Sequence, residues 1–558
     1  MKSTTIRTAC ILITSLVLTA CSTPKTKNAF ILTPPSQKQI ETNVQAQVSL
    51  MLTAFTPVAG QAIPNEAVLS AYEQRDYSPF WIQKDTIDSS IHQLLDILEL
   101  SYTHGLNPVH YYTEEIKEYL SLPTPSQKQL AELDVITTIA FSSYAHDLSI
   151  GRYEPQLIDP NWQLDAPTND WSEILFLEKT SDMIRFLPLL APRHPNYQVL
   201  QKWLVYYQNL NNKEPDIRVK AGVPLSVGDQ GERVAQIRAR LIQLGDIRFS
   251  TRKTNEDYFD DKLKLALIHF QKRHDILEDG HAGAQTIEML NVPVKVRAQQ
   301  IAYNLERWRW LPSTLESERI WVDLTDYKVH TFLNDQHSTM KVVIGKNERK
   351  TPVFKGNMTY MVTNPTWRVP HRIAQETLLP KIHQDPNYLT KHGYQVYSSW
   401  TVGAKQLDPL TINWPEITHS NLRYRFEQTP DEGNALGAYK FMFPNKNDIY
   451  LHDTPSKHLF KEHIRAFSSG CVRLEKPEEF AQLIVASSSK RTGELEKAKK
   501  SKATNVVSLP KEIPVYLVYF TVAPNENGMP EFRNDIYQRD ELMEEAMGYY
   551  SFNPKESL

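Results

Sequence analysis

The sequence predicts a multidomain α+β protein whose N-terminal half is helical and whose C-terminal part is mainly β. Its 558 residues exceed what one core usually holds, because single cores rarely grow past about 250 to 300 residues. Across residues 49–215, apolar side chains recur three and four apart, which is the period of a helix. Beyond residue 319, runs such as IWVDLTDYKVHTFL and PVYLVYFTV have the β-branched, alternating character of strands. We therefore expect a helical scaffold domain over residues 49–215 and a mainly β domain over residues 319–522.

The first 20 residues have the pattern of an export signal. Two basic residues precede a short apolar run, which is too brief to span a bilayer. The run ends in Leu-Thr-Ala-Cys, which resembles a lipobox and implies a mature chain that begins at a lipidated Cys21. Ser22, rather than an aspartate, follows it and favours delivery to the outer membrane. The alternative is an ordinary signal peptide cut nearby. Residues 21–48 are polar and are predicted to form a flexible tether.

A three-helix unit is predicted over residues 222–293. The stretch VGDQGERVAQIRARLIQLG gives a glycine-bracketed turn and one apolar helix face that ends at a glycine. A second helix begins at an aspartate pair suited to N-capping, and a third follows DGHAG. This pattern resembles the peptidoglycan-binding type 1 module and implies docking to the cell wall; a purely structural spacer is the alternative. Residues 294–318 are predicted to be a linker, in which Trp308 and Trp310 pack between domains or stack on sugars.

Residues 450–474, YLHDTPSKHLFKEHIRAFSSGCVRL, concentrate the residue types of nucleophilic catalysis. A thiolate attacks carbonyl carbon, so a reactive cysteine needs a base or a positive neighbour that lowers its pKa. For Cys471 the local candidates are His452 and Arg473. Backbone N–H groups of a small-residue loop could also hold an oxyanion. The candidate loop consists of Ser468, Ser469 and Gly470. The pattern favours acyl transfer.

Two other interpretations of Cys471 remain open. A cysteine beside a glycine is often a small buried apolar residue. A metal site is the chemical alternative, because His452, His458, His463 and Cys471 are all ligand types. Zinc sites usually supply ligands in close pairs, and no second cysteine lies near Cys471, so no metal or cofactor is predicted.

The order and spacing of these residues resemble a known family. His452 and the hexapeptide SSGCVR resemble the signature of the L,D-transpeptidase (YkuD) family. GKNERKTPVF (residues 345–354), NPTWRVP (364–370) and ALGAYKFMFPN (435–445) look like family segments in family order. The resemblance implies a mainly β catalytic domain, with Cys471 as nucleophile.

Ser469 stands where many family members have a histidine, so the chain looks more like the large multidomain Gram-negative branch, which has Ser-Ser-Gly-Cys. SPFW and YAHDLSIGRYEP resemble the helical scaffold of those members. The departure leaves the third triad member open, and a backbone carbonyl of the loop is expected to take that role.

The resemblance implies transfer of a diaminopimelate-containing stem peptide through a Cys471 thioester, giving a 3→3 cross-link in peptidoglycan. An L,D-carboxypeptidase, a protein-to-wall transferase and a non-catalytic wall-binding lipoprotein are the alternatives. A carbapenem would acylate the same thiol. Other cell-wall synthases are candidate partners, in the periplasm beside the outer membrane.

Residues 371–434 form an insertion rich in proline and aromatic residues. Insertions of this length are usually functional lids or disordered, and the aromatic residues argue against disorder. We expect a lid over the site, like the capping subdomain of the large family members; an excursion away from the site is the alternative. The candidate substrate-binding residues are aromatic: Trp367, Trp400, Trp414, Tyr439 and Phe441, with core packing favoured for the last two.

The overall charge argues against one class of function. The formal net charge of −3 lacks the basic excess of a nucleic-acid-binding protein. Residues 487–502 read as a solvated charged helix without chemistry, and the C-terminal tail, residues 523–558, carries no clear signal.

Overall fold

A computed structural model describes the following residues: 36–54, 65–165, 167, 170–213, 215–247 and 256–548. The export signal, the lipidation candidate Cys21 and the first part of the expected tether lie outside them. The described residues form an N-terminal helical core, a core inside the insertion and a large core shared by the remaining parts. The multidomain α+β fold class is confirmed. Among the described helices, none is long and apolar enough to cross a bilayer.

The N-terminal region is the predicted helical scaffold. Its described helices and hairpin strands are α1 (Ser36–Ala54), α2 (Asn65–Gln74), β1 (Ile82–Gln83), β2 (Thr86–Ile87), α3 (Ser90–Glu99), α4 (Thr113–Leu120), α5 (Gln127–Ile150), α6 (Pro155–Ile158), α7 (Thr180–Phe186) and α8 (Pro195–Lys213). The central helix α5 begins with a capping box between Ser126 and Gln129. Its buried Asp134 accepts hydrogen bonds from the backbone N–H groups of Phe80 and Trp81, which fixes the SPFW segment on the helix.

The predicted tether over residues 21–48 is wrong for its second half. Helix α1 begins at Ser36, and its side chains Ile40, Val44 and Val48 are at most 3% exposed. They are four residues apart, so they form one stripe, which lies in the core around α5. Most of the polar residues between them are exposed or half-buried. The polar composition of the segment therefore conceals its buried apolar stripe.

The predicted three-helix unit contains α9 (Glu232–Gln243), α10 (Asp261–Arg273) and α11 (Ala284–Leu290). The expected apolar face of α9, which includes Val234, Ile237 and Leu241, is buried. The side chain of Asp260 caps α10 by accepting a 2.8 Å hydrogen bond from the Leu263 N–H group.

The predicted linker over residues 294–318 is instead mostly a buried helix, α12 (Val294–Arg309). Trp308 stacks on Phe520 at 4.6 Å and on His194 at 4.3 Å between ring centroids. The Trp310 indole N–H donates to the Tyr153 carbonyl. The two tryptophans therefore pack between domains, and α12 is part of the core rather than a linker.

The C-terminal part is mainly β. Its strands are β3 (Arg319–Asp323), β4 (Lys328–Leu333), β5 (Gln336–Gly345), β6 (Phe354–Thr363), β7 (Trp367–Arg368), β8 (Tyr394–Tyr397), β9 (Gln406–Leu407), β10 (Arg425–Gln428), β11 (Tyr439–Met442), β12 (Leu451–His452), β13 (Ala466–Ser468), β14 (Val472–Leu474), β15 (Asn505–Val518), β16 (Val522–Pro524) and β17 (Pro530–Phe532). Its helices are α13 (His371–Ile373), α14 (Leu379–Gln384), α15 (Tyr388–Lys391), α16 (Pro477–Val485), α17 (Ser489–Lys500) and α18 (Arg539–Met547).

One large sheet runs in the order β13, β5, β14, β12, β11, β6, β15, β3, β4. A further pairing of β4 with β5 closes the sheet on itself. The central pair β12 and β14 is parallel, and both strands are short. Because the two strands run in the same direction, residues next to their corresponding ends lie side by side in the closed sheet.

The insertion predicted over residues 371–434 is an ordered subdomain. A separate sheet, ordered β7, β10, β8, β9, packs against its own apolar core. Residues 374–378 form a π-helical turn at the start of the insertion, directly after α13.

The tail after residue 522 is structured as far as the chain is described. Strand β16 pairs with β17, and the following residues Tyr537 and Arg539 are buried. The Tyr537 hydroxyl donates to the carbonyl oxygen of Gly345. The tail therefore supports the connection between β5 and β6, which the polar composition did not reveal.

Candidate active site

Strand pairing brings the nucleophile candidate and the histidine to one face of the sheet. On the parallel strands β12 and β14, His452 is opposite Arg473 and Leu451 is opposite Val472. Side chains two residues apart on a strand share a face. Cys471 therefore lies beside Tyr450, and His452 is its diagonal neighbour on the next strand.

The loop before Cys471 is held by its own hydrogen bonds. The Ser468 hydroxyl donates to the Cys471 carbonyl at 2.6 Å and accepts from the Gly470 N–H at 3.1 Å. Gly470 has a φ of 118°, and a Cβ atom there would lie 3.3 Å from the Ile449 side chain. The loop thus requires glycine at this position, but the Gly470 N–H is already bonded and is not free to hold an oxyanion in this state.

The surroundings of Cys471 keep its thiol protonated at rest. Burial raises the pKa of the Cys471 thiol, against hydrogen bonds from the Tyr450 backbone and side chain and the positive charges of Lys440 and Arg473, which lower it. The sulfur lies 3.8 Å from the carbonyl oxygen of Asp448, to which the thiol can donate. The groups that lower the pKa are those that would stabilise the thiolate once the proton leaves.

His452 is neutral at rest. Burial, together with the positive charge of Arg473, lowers the pKa of His452 to about 3. Its Nδ1 is buried and makes no hydrogen bond of good geometry among the described residues, although the Asp453 backbone is near enough to raise the pKa of the ring in part. The loop carbonyl expected as third triad member is therefore not bonded to the imidazole here. Hydrogen bonds of catalytic groups often tighten only when substrate binds.

Tyr450 is the functional candidate that sequence reasoning missed. Burial raises the pKa of the Tyr450 phenol, the nearby Cys471 raises it further, and an interaction with Trp367 lowers it. The Lys440 ammonium lies 4.0 Å from the centre of its ring. Lys440 is directly opposite His452 on β11. Its position inside the quoted segment, two residues before His452, was the available signal for Tyr450.

Three of the five substrate-binding candidates are packing residues. Tyr439 and Phe441 point to the opposite face from Lys440, where the Phe441 ring meets Phe480 at 4.8 Å. Trp414 is 2% exposed in the core of the insertion, and its indole N–H donates to the Pro409 carbonyl. These three side chains are too buried to line a substrate groove.

The other two tryptophans are partly accessible. Trp367, on β7, is partly exposed and near enough to Tyr450 to lower the pKa of its phenol, so it lies at the edge of the site. Trp400 is 38% exposed on the insertion, with its ring 5.4 Å from that of His371. Substrate binding by either tryptophan stays a prediction.

The described residues contain no cluster of three metal-ligating side chains. His463 points away from the cysteine, and its Nε2 lies 2.9 Å from the carbonyl oxygen of Asp275 in the three-helix unit. The four histidine and cysteine residues considered for a metal therefore do not converge. What the site does present is a thiol, a neutral imidazole and two cations, which suits acyl transfer through a thioester.

Three family models match parts of the chain. Residues 317–506 match an "L,D-transpeptidase catalytic domain" (YkuD), and residues 230–290 match a "Putative peptidoglycan binding domain". Residues 66–204 match a "Scaffold domain". The matched ranges correspond to the mainly β part, the three-helix unit and the N-terminal helices.

A curated protein of Haemophilus influenzae, named "Putative L,D-transpeptidase", is 36% identical over 272 residues. The match covers 47% of this chain and 53% of that protein, so the chain spans about half the length of the relative it matches. A crystal structure of an L,D-transpeptidase from Xylanimonas cellulosilytica is 14% identical, with a TM-score of 0.16, and covers 55% of this chain and 100% of its own. A fused Zn-dependent amidase/peptidase/peptidoglycan-binding domain-containing protein from Clostridium acetobutylicum is 12% identical, with a TM-score of 0.14, and covers 53% of this chain and 100% of its own.

Proposed function

We propose that this chain is a peptidoglycan L,D-transpeptidase that forms 3→3 cross-links, because residues 317–506 match an L,D-transpeptidase catalytic domain (YkuD) and residues 230–290 match a putative peptidoglycan binding domain. The supporting observation is the placement of Cys471 beside Tyr450 and diagonal to His452 on one face of the sheet. The donor is a tetrapeptide stem that ends in diaminopimelate and D-alanine. The peptidoglycan-binding domain holds the enzyme at its polymeric substrate.

The reaction proceeds in two acyl transfers. His452 takes the proton of the Cys471 thiol as the sulfur attacks the carbonyl carbon between diaminopimelate and D-alanine. The carbon–nitrogen bond breaks, and the D-alanine amine leaves with that proton. The side-chain amine of a second diaminopimelate then attacks the thioester carbonyl and loses a proton to His452, the carbon–sulfur bond breaks, and His452 passes the proton to the departing Cys471 sulfur. The balance closes without a metal or another cofactor.

The charges around the sulfur determine when the thiolate forms. A neutral His452 with a pKa of about 3 is a weak base in the resting site. Negative charge that develops on sulfur next to Arg473 and Lys440 stabilises the transferred state, since opposite charges favour ionisation. Entry of the donor carbonyl therefore triggers proton transfer, and the Tyr450 hydroxyl remains as a donor to the developing charge.

Muropeptide analysis tests the proposal. Purified wall material is incubated with the enzyme, digested and separated, and new 3→3 dimers are the expected product. Trimmed monomers would instead show an L,D-carboxypeptidase, protein-linked peptides a wall transferase, and no change a wall-binding lipoprotein. Cys471→Ala must abolish every covalent product while it leaves sedimentation with the wall intact. Dimers made by the alanine variant would refute the assigned nucleophile.

Two further elements of the proposal have their own measurements. A carbapenem is expected to add its mass to the wild-type chain and not to Cys471→Ala, as read by intact mass spectrometry. Lipidation at Cys21, with attachment to the outer membrane facing the periplasm, predicts palmitate labelling that is lost in Cys21→Ala. An unlabelled wild-type protein would leave an ordinary cleaved signal in its place.

A further inference from the structure

A single guanidinium connects the loop of the nucleophile with the insertion. Arg349 ends the short 3₁₀-helix Asn347–Arg349 in the connection between β5 and β6. Its Nη1 donates to the Ser469 hydroxyl at 2.7 Å, and its Nη2 donates to Glu376 at 2.5 Å and to the Thr377 hydroxyl at 3.2 Å. The Arg349 side chain is only 9% exposed. These bonds join two segments that are distant in the sequence, of which one carries the cysteine.

On the side of the insertion, the partners belong to an unusual turn. Glu376 and Thr377 lie in the π-helical turn at residues 374–378. Such turns are rare and occur often at functional sites. Glu376 also pairs with Arg372, but the Arg372 side chain is 66% exposed, so that pair is screened by water. Glu376 therefore bonds two arginines, and of these Arg349 is the one that also reaches the loop before Cys471.

On the side of the cysteine, the same connection holds the loop at a second point. The Thr351 hydroxyl donates to the Gly470 carbonyl at 2.7 Å. Gly345 allows the close approach, because a Cβ atom there would collide with the Arg349 carbonyl oxygen. Residues 345–351 thus hold the loop through the Thr351 hydroxyl, and Arg349 connects the same segment to the insertion.

We propose that Arg349 is a positioning residue that holds the insertion closed over the acyl-enzyme, so that the thioester is passed to an amine rather than to water. This inference rests on the function proposed above. A closed subdomain keeps bulk water from a reactive ester. The planar guanidinium suits the task because it can bond a carboxylate and a hydroxyl at once in a fixed fork, which a lysine ammonium cannot reproduce.

The test compares partition of the acyl-enzyme in the full chain. Wild type, Arg349→Lys, Glu376→Gln and the double variant are incubated with a tetrapeptide muropeptide at fixed concentration, and the ratio of tripeptide to cross-linked dimer is measured. We expect that ratio to rise at least fivefold in each single variant, and to rise no further in the double variant because both changes break one link. Carbapenem adducts should form at rates within about twofold of wild type but decay faster. Glu348→Gln is the matched control, since Glu348 lies in the same short helix with its side chain 73% exposed.

Each outcome assigns a result. An unchanged ratio in both single variants, or effects that add in the double variant, would overturn the positioning role. A rise in Glu348→Gln as large as in Glu376→Gln would also overturn it, because general loosening of the region would then suffice. A wild-type chain that takes up no carbapenem and makes no product sinks the proposed function instead. If Arg349→Lys does not fold, as judged by circular dichroism, Glu376→Gln decides alone.

Discussion

At the scale of single residues, the resting site contains a neutral thiol and a neutral imidazole. Burial raises the pKa of Cys471 and lowers that of His452 to about 3. Because alkylation requires the thiolate, the rate of Cys471 modification by iodoacetamide should rise by about tenfold per unit between pH 6 and 8. Peptide mass spectrometry at Cys471 gives the rate. A preformed thiolate–imidazolium pair would produce a plateau in that range, which is the contrary result.

The sequence predicts Cys471 and His452 as site residues, and it did not predict their neighbours Tyr450 and Lys440. A Gly-Cys pair alone is often a packing feature, so the prediction for Cys471 and His452 depends on their resemblance to the family signature and not on residue type alone. Tyr450 and Lys440 become neighbours of the sulfur only through the pairing of β12 with β14 and with β11. Register of this kind is set by the whole sheet and is not encoded in a local pattern.

At the scale of elements, adjacent residues of β11 serve opposite faces. Phe441 is fully buried against Phe480, so Phe441→Ala should cost about 3 to 5 kcal/mol of stability. Lys440 faces the site, so Lys440→Gln should change stability far less but raise the pKa of Cys471, because a positive charge that favours the thiolate is lost. Thermal midpoints and the alkylation rate at pH 8, expected to fall about threefold in Lys440→Gln only, separate the two. Equal loss of stability in both variants would contradict the assigned faces.

Helix α1 shows where composition misleads. The segment is rich in polar residues, yet Ile40, Val44 and Val48 recur every four residues and are buried. We expect Val44→Asp to lower the thermal midpoint of the scaffold and to open residues 36–54 to proteolysis, because an unpaired charge would enter the core. Gln45→Asp, at an exposed position of the same helix, should do neither. Equal proteolysis of both variants would contradict the buried helix and favour the flexible tether predicted from the sequence.

At the scale of the whole molecule, the units predicted from periodicity share a core that the sequence could not reveal. Helix α8 of the scaffold, the three-helix unit, α12 and the closed sheet all contribute to one apolar cluster. An apolar face looks the same in sequence whether it packs within its own unit or against another. The scaffold also meets the catalytic domain at Val353, whose N–H donates to the Asn161 carbonyl while its carbonyl accepts from the Gln163 N–H.

A series of buried contacts leads from this junction to the loop before Cys471. Asp159 of the scaffold, 4% exposed, pairs with Arg539 at 2.9 Å. Arg539 donates to the Thr351 carbonyl at 3.4 Å, and the Thr351 hydroxyl bonds to Gly470 beside the cysteine. The scaffold therefore supports the loop through Arg539 as well as through packing.

Removing the charge of Asp159 should affect both the stability of the protein and the loop before Cys471. Asp159→Asn leaves the buried Arg539 without its counter-charge, a loss typically of about 3 to 5 kcal/mol. We expect a lower thermal midpoint. Below that midpoint we expect slower formation of the carbapenem adduct, because the hydrogen bond from Thr351 to the Gly470 carbonyl weakens. Asp165→Asn, at an exposed position nearby, is the control and should change neither. If Asp159→Asn lowers the midpoint yet acylates at the wild-type rate, the scaffold contributes stability alone and the loop is positioned by the catalytic domain itself.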